Sequence, residues 1–166
     1  MGDIKRKRKK FSKPRNIYDR KRIDEENVIV KMYGLKNKRE IWKAKSVVSV
    51  LRRRAKSLIG KDPALQRDFF EKLNKKGLLV TSTSDALALT EEDILKRRLQ
   101  TFVFKKGLAN TPKQARQLIV HKNVLVDGNI VNVPSFFVTK NLEDKISIKI
   151  RKVRDKPQVR EVNEDN

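Results

Sequence analysis

Positive charge falls in three blocks along this chain, and this distribution constrains the fold more than any other feature. The 166 residues carry a formal net charge of +22. Residues 1–22 hold eleven Lys and Arg, residues 31–61 hold eleven against the single acid Glu40, and residues 96–122 hold eight and no acid. Like charges this dense repel one another, and a pI near 10.4 indicates a polyanionic partner, with nucleic acid as the first candidate.

The composition also excludes several classes of protein. Cysteine is absent, and His121 is the single histidine, so disulfides, thiolate centres and multi-histidine metal sites are impossible. We expect no metal and no cofactor. The apolar runs are shorter than the roughly 20 residues that cross a bilayer, and no apolar segment follows the basic start. We therefore expect a cytoplasmic chain with no membrane partner.

Apolar spacing predicts helices throughout about the first 90 residues. We expect one over 19–33 ending at Gly34, one over 37–59 ending at Gly60, and one from Pro63 to Gly77. The second should bury a stripe formed by Ile41, Ala44, Val48, Leu51, Ala55 and Leu58. Its remaining surface is then crowded with cations, namely Lys38, Arg39, Lys43, Lys45, Arg52, Arg53, Arg54 and Lys56. Since few acids can pair with them, we predict phosphate contacts for Arg52, Arg53 and Arg54.

The pattern changes after residue 90. A helix is expected from Thr90 to Gly107, and a second one begins at Thr111-Pro112, with Gln114 completing a capping box. Asp127-Gly128 predicts a hairpin turn between strands 124–126 and 129–131, and residues 136–138 and 146–150 are further strand candidates. The fold class is therefore α+β: a helical N-terminal region followed by a small α+β domain, in which a helix pair packs on a short, mostly antiparallel sheet.

Two kinds of nucleic acid fit such a domain. A helix pair joined by a short turn is compatible with a helix-turn-helix that enters a DNA major groove. Here, however, the cations lie on several elements in a broad patch, which favours folded RNA, recognised through phosphates, 2′-hydroxyls and shape. We therefore divide the chain into a basic N-terminal extension (1–22), a helical domain (23–94), a small RNA-binding domain (95–150) and a C-terminal tail (151–166).

Several segments resemble one family. They are Arg97-Arg98-Leu99-Gln100-Thr101, Lys106-Gly107-Leu108-Ala109-Asn110-Thr111, Gln114-Ala115-Arg116-Gln117-Leu118-Ile119, His121, Val126-Asp127-Gly128 and Val131-Asn132-Val133-Pro134-Ser135. Together they resemble the RNA-binding domain of the small-subunit ribosomal protein S-four family. Residues 33–40, with the sequence YGLKNKRE, resemble its archaeal and eukaryotic branch.

This resemblance implies a structural ribosomal protein and not an enzyme. It implies binding to small-subunit ribosomal RNA at a 5′-domain junction, promotion of early subunit assembly and support of translation near the point where messenger RNA enters. The implied partners are small-subunit ribosomal RNA, other small-subunit ribosomal proteins and messenger RNA, with no small-molecule substrate. Carried over by position, the RNA-binding residues are Arg97, Arg98, Lys106, Thr111, Lys113, Gln114, Arg116, Gln117, His121, Asn132 and Ser135, with Pro134 shaping the loop; the basic stretch adds Lys122.

The sequence departs from the family pattern in places. Lys122 stands where members often have glycine, so we expect Asn123 to adopt the left-handed conformation that ends the helix.

Two alternative functions are compatible with the same small RNA-binding domain. One is an RNA-modifying enzyme, for which the remaining helical residues leave no catalytic fold, and the other is a related ribosomal RNA processing factor, which would differ in its location in precursor particles.

Overall fold

The computed structural model describes residues 10–149. The basic run before Lys10, the last residue of the strand predicted over 146–150 and the tail 151–166 lie outside the described residues. The helices are α1 (Arg20–Tyr33), α2 (Arg39–Leu58), α3 (Pro63–Lys75), α4 (Thr83–Ala88), α5 (Glu91–Lys96), α6 (Leu99–Lys105) and α7 (Pro112–Val120). The strands are β1 (Val124–Val126), β2 (Asn129–Ile130) and β3 (Ile146–Ile148), and a 3₁₀ helix spans Lys140–Leu142.

The first three helices confirm the predictions from apolar spacing. Gly34 follows α1 with φ +59°, and Gly60 lies just beyond α2 with φ +78°, both in the left-handed region that glycine tolerates. The predicted stripe of α2 faces the interior: Ile41, Ala44, Val48 and Ala55 are buried, and Leu51 and Leu58 are partly buried. α2 therefore packs along its apolar stripe and leaves its basic surface outside.

The short helix α4 was not predicted. It begins with a reciprocal cap in which the Ser82 hydroxyl accepts from the Asp85 amide at 3.2 Å and the Asp85 carboxylate accepts from the Ser82 amide at 2.9 Å. Hydrogen bonds from the hydroxyl and amide of Thr81, and then from Ser82, lower the pKa of Asp85 to about 2. The serine and the aspartate three residues later form a start signal that is visible in the sequence.

The prediction of a single helix from Thr90 to Gly107 is wrong. The structure has two helices there, α5 and α6, which are separated at Arg97 and Arg98. The Leu99 amide donates to the Phe136 carbonyl at 2.8 Å, and the Val138 amide donates to the Arg97 carbonyl at 2.9 Å. The segment around Phe136 thus replaces the hydrogen bonds of a continuous helix. The strand predicted over 136–138 is also absent; in the described chain its pairing is reduced to one bridge between Arg98 and Phe137.

The hairpin and the sheet agree with the prediction. Asp127 has φ +51° and Gly128 has φ +77°, as a type I′ turn requires. The described sheet has the order β2-β1-β3, and both pairings are antiparallel. This sheet and the helix pair α6 and α7 confirm the predicted α+β class.

The two ends of α7 correct two local expectations. The Thr111 hydroxyl accepts from the Gln114 amide at 3.1 Å as predicted, but the Gln114 side chain accepts from the Asn110 amide at 2.8 Å and not from that of Thr111. At the other end Lys122, not Asn123, adopts the left-handed conformation with φ +59°. The Lys122 amide donates to the Ile119 carbonyl and the Asn123 amide donates to the Leu118 carbonyl, each at 3.0 Å, which places the left-handed residue at Lys122.

The described residues form two hydrophobic cores that meet at the break between α5 and α6. The first gathers residues from Tyr33 to Leu95, and the second gathers residues from Leu99 to Ile146. Phe136 packs against the second core and Phe137 against the first. The division of the chain near residue 95 into a helical domain and a small domain stays a prediction. We propose it because the two hydrophobic cores separate there.

Gly34 provides a test of how the two cores fit together. A Cβ at this position would lie 2.8 Å from the Pro112 Cβ, so the end of α1 and the start of α7 touch there. We expect Gly34→Ala to lower the free energy of unfolding by about 2–4 kcal/mol, from left-handed strain together with overpacking. Urea denaturation measures this change.

Gly60→Ala is the matched control. Gly60 is also left-handed, but a Cβ added there would have no neighbouring atom within 4 Å. Only the strain of about 1–2 kcal/mol should then remain. Equal losses in the two variants would contradict the close contact between α1 and α7.

Candidate nucleic-acid interface

Glu40 accepts from two arginines where the helical domain meets the small domain. The Arg98 guanidinium donates to one carboxylate oxygen, and Arg116 Nη2 donates to the other at 3.0 Å. The side chains of Glu40, Arg98 and Arg116 are 12%, 9% and 25% exposed. One carboxylate from the start of α2 therefore holds two guanidinium groups of the small domain.

Gln100 forms a second link at this junction. Its buried amide nitrogen donates to the carbonyls of Tyr33 and Gly34 at 3.0 Å each, and to that of Pro112 at 2.9 Å. Its side-chain oxygen accepts from Arg116 at 3.3 Å. Gln100 thereby ties the end of α1 to the first turn of α7 and also fixes Arg116.

The electrostatics of Glu40 follow from these neighbours. Burial raises the pKa of the Glu40 carboxyl, but the hydrogen bonds and charges of Arg116 and Arg98 outweigh burial and hold the pKa below its ordinary value of 4.5. The carboxylate is therefore ionised at neutral pH. The pKa of the Tyr33 hydroxyl shifts in the opposite direction, because burial, followed by the charge of Glu92, raises it to about 12.

An open groove lies over this ion pair, between α2 and the small domain, and we call it the junction groove. Its cavity volume is about 460 Å³. Arg39 and Lys43 of α2 line one side, and Pro134 and the exposed Ser135 line the other. Because Glu40 offsets only one of the two arginines beneath it, the groove has a net positive charge that suits a phosphate.

The exposed face of the small domain carries the second group of cations. Lys113, Gln117 and His121 follow one another at four-residue spacing and are all exposed, so they form one stripe on α7. Lys106 and Lys122 are also exposed. We call these five residues the α7 face. Among residues 10–149, no carboxylate forms an ion pair with its three lysines.

The structure places two of the predicted RNA-binding residues inside the protein. Arg98 is inside, against Glu40, and Arg97 donates to Glu143 at 2.6 Å and to the Val138 carbonyl at 2.9 Å. The Arg97 guanidinium also lies 4.8 Å from the centre of the Phe102 ring. Each guanidinium is therefore held against a carboxylate and not on an open surface, and RNA binding by Arg97 and Arg98 stays a prediction.

The remaining predicted residues are divided between contact and structure. Asn132 is exposed, whereas Thr111 and Gln114, although exposed, use their side chains to cap α7. On α2, the Arg52 guanidinium donates to the Leu89 carbonyl at 2.6 Å, and that of Arg54 lies 5.5 Å from the Phe69 ring. Arg53 is exposed.

Sequence reasoning missed the roles of Glu40 and Gln100. One signal was present for Glu40, since it is the single acid among residues 31–61 and carboxylates are the natural partners of buried arginines. No comparable signal existed for Gln100, because its partners are backbone carbonyls brought together by the fold.

Two other kinds of feature are absent from residues 10–149. They contain no helix that combines the length and the apolar character needed to span a membrane. The same residues contain no cluster of three or more His, Asp or Glu side chains arranged to bind a metal ion.

Glu40→Gln tests the junction ion pair. Losing the carboxylate charge leaves two poorly exposed guanidinium groups without their counter-charge, so we expect a loss of about 3 kcal/mol in the free energy of unfolding at neutral pH. Because the folded-state pKa is depressed, this stabilisation is present above about pH 4.5 and disappears as pH falls through the folded-state pKa. Urea denaturation at a series of pH values should show that the variant lacks this acid-dependent component.

Glu91→Gln is the control for that measurement. Glu91 pairs at 3.5 Å with Lys45, whose side chain is 42% exposed, so its loss should cost less than about 1 kcal/mol. A Glu40 variant as stable as the Glu91 variant would refute the role of Glu40 at the junction.

Known proteins are similar to this chain over most of its length. Residues 97–144 match the S4 domain family. Over 156 residues the chain is 44% identical to the small ribosomal subunit protein uS4 of Picrophilus torridus, covering 89% of this chain and 85% of that protein. It is 45% identical over 153 residues to the uS4 protein of Saccharolobus islandicus, covering 88% and 84%. Both relatives are named as ribosomal proteins, which confirms the expectation of a structural protein and not an enzyme. The chain belongs to the uS4 family of small ribosomal subunit proteins.

Proposed function

We propose that this chain binds small-subunit ribosomal RNA through the α7 face and the junction groove, in the cytoplasmic small ribosomal subunit. The observation that carries the proposal is the separation of two kinds of cation. Arg97 and Arg98 are held by carboxylates inside, whereas Lys106, Lys113 and Lys122 are exposed without an acidic partner among the described residues. Exposed lysines with no counter-charge gain most when they displace the counterions of a phosphate backbone.

In this proposal the protein acts as a scaffold for the RNA and does not catalyse a reaction. The internal ion pairs and the Gln100 amide fix the orientation of the small domain relative to α2, so the phosphate-binding groups have fixed positions. A rigid cationic surface lowers the repulsion between RNA helices that converge at a junction and favours one relative orientation. Recognition of folded RNA through backbone and shape has this form.

The finer parts of the proposal follow from the family resemblance. The RNA target is a multi-helix junction of the 5′ domain, the protein binds early in subunit assembly, and its position is close to the point where messenger RNA enters. Other small-subunit ribosomal proteins, together with messenger RNA at that point, are the remaining partners. Membership of the uS4 family supports this assignment, as do the exposed positions of Gln117, His121, Asn132 and Ser135.

Neutralising the α7 face should weaken RNA binding. For Lys106→Gln, Lys113→Gln and Lys122→Gln combined, we expect a weaker complex with a 5′-domain transcript and a salt dependence lower by about 3 in the log–log slope, since each lost phosphate contact removes about one. Filter binding over a range of salt concentrations measures both quantities.

The matched control removes the same charge from α3. Lys72, Lys75 and Lys76 are exposed at the end of that helix, outside both proposed binding surfaces. Replacing all three with glutamine should change the slope less. If the two triple variants bind equally well, net charge and not the α7 face determines the affinity.

Chemical probing of the RNA tests the scaffolding mechanism. Binding of the full chain should protect nucleotides at the junction and reduce the flexibility of the flanking helices in the 5′-domain transcript, because the protein fixes their relative angles. Tight binding with unchanged junction reactivity would reject scaffolding while leaving RNA binding intact.

A further inference from the structure

We propose that α2 lies between two separate RNA segments, one in the junction groove and a second in a trough on the opposite flank of the helix. This inference rests on the proposed function, because the first segment is the RNA bound at the junction groove. It adds a binding site formed by α2 with the segment Ser12–Pro14, well before the S4 domain in the chain.

The two sites are centred on different sides of α2, although Ser46 and Val50 at the edge of the trough lie only about 60° around the helix from Lys43 and Val47. Lys43 and Val47 line the junction groove, and Lys45 and Ser49 line the trough. Residues two apart in an α-helix are rotated by about 200°, so these pairs point in nearly opposite directions. A helix with its side chains is about 10–12 Å across, so one phosphate cannot contact both sites at once.

The trough is built by the segment before α1 as it docks on α2. The Ser12 amide donates to the Ser46 hydroxyl at 3.2 Å, and the Phe11 ring lies 6.2 Å from the Trp42 ring. Between this segment and α2 lies a cavity of about 540 Å³, which continues into one of about 490 Å³ beside α5. The two share Lys45, Ser49 and Arg53, so they form one channel along the helix.

The free charge of the trough is positive. Lys13, Arg53 and Lys56 line it, are exposed and form no ion pair with a described residue. Its two acids are already neutralised: Glu26 pairs with Arg22 at 2.9 Å, and Glu91 pairs with Lys45 at 3.5 Å. Open cations beside exposed serine hydroxyls are the groups that contact RNA phosphates and sugars.

The RNA in the trough is therefore a second backbone segment that approaches α2 from the other side. Two phosphate backbones separated by the width of one helix repel each other at distances close to the screening length of about 8–10 Å. A helix with cations on both flanks removes this repulsion. The arrangement makes α2 a spacer that sets the distance between two strands of the RNA.

Photo-crosslinking can separate the two sites. A benzophenone side chain is introduced at Ser49 in the trough, at Ser135 in the junction groove, or at the exposed Ser84 on α4 as the background control. Each full-length protein is bound to a transcript of the small-subunit ribosomal RNA 5′ domain, irradiated, and the attached nucleotides are sequenced. We expect positions 49 and 135 to mark two segments that do not overlap.

Each other outcome overturns a defined part of the account. Crosslinks from both positions to the same nucleotides, or a position 49 that reacts no more than position 84, would overturn the second segment and leave the proposed function standing. Failure at position 135 as well, with no RNA retained by the unmodified protein, would instead overturn the proposed function.

Trp42 offers an independent readout of the trough. It is the single tryptophan of the chain, it lines the trough, and its indole nitrogen donates to Glu26 at 3.0 Å. Binding of the same transcript should change its fluorescence, and at saturating RNA Arg53→Gln should reduce the size of that change whereas Lys43→Gln should leave it intact. A fluorescence change of equal size in the two variants would contradict a separate site.

Discussion

A carboxylate shared by two arginines is the interaction on which the rest of this structure depends. The chain has 42 cationic and 20 acidic residues, so any interior contact that includes arginine needs one of a limited number of carboxylates. Glu40 supplies it at the place where the two cores must be held together, and Gln100 fixes the neighbouring backbone. Removing one member of such an ion pair leaves an uncompensated charge, which costs more than the pair itself contributes. The orientation of the small domain relative to α2, and therefore the shape of the junction groove, depends on this contact.

Within the small domain, the same constraint divides the cations by residue type. Arginine holds the internal positions, where its planar group can donate to a carboxylate and a carbonyl at once, as Arg97 does with Glu143 and Val138. Lysine predominates on the α7 face, where a hydrated point charge on a flexible stem can adjust to an irregular phosphate backbone. A strongly basic protein can thus be ordered before it meets RNA, because part of its charge is consumed internally and the rest is displayed on fixed elements.

Local rules account for most of the fold and only part of the candidate site. The glycine ends of α1 and α2, the proline start of α7 and the Asp127-Gly128 turn were readable because each depends on a few neighbouring residues. The break at Arg97 was not readable, since the apolar spacing runs through it and the competing hydrogen bonds come from Phe136 and Val138, about forty positions later. The burial of Arg98 was not readable for the same reason, because its sequence neighbours suggest an open basic patch while its partner Glu40 is distant.

The sequence by itself determined a polyanionic class of partner and most of the secondary structure, because net charge, helix caps, turn residues and apolar periodicity act over a few residues or over the whole chain at once. Tertiary structure decided which cations stay exposed and which are paired inside the protein. Arg98 and Arg116 reach Glu40 across 58 and 76 residues, and no local pattern reports such a pairing. The physical reason is that ion pairing depends on distance in space, which the fold sets, whereas the sequence shows only which charged residues are present and in what order.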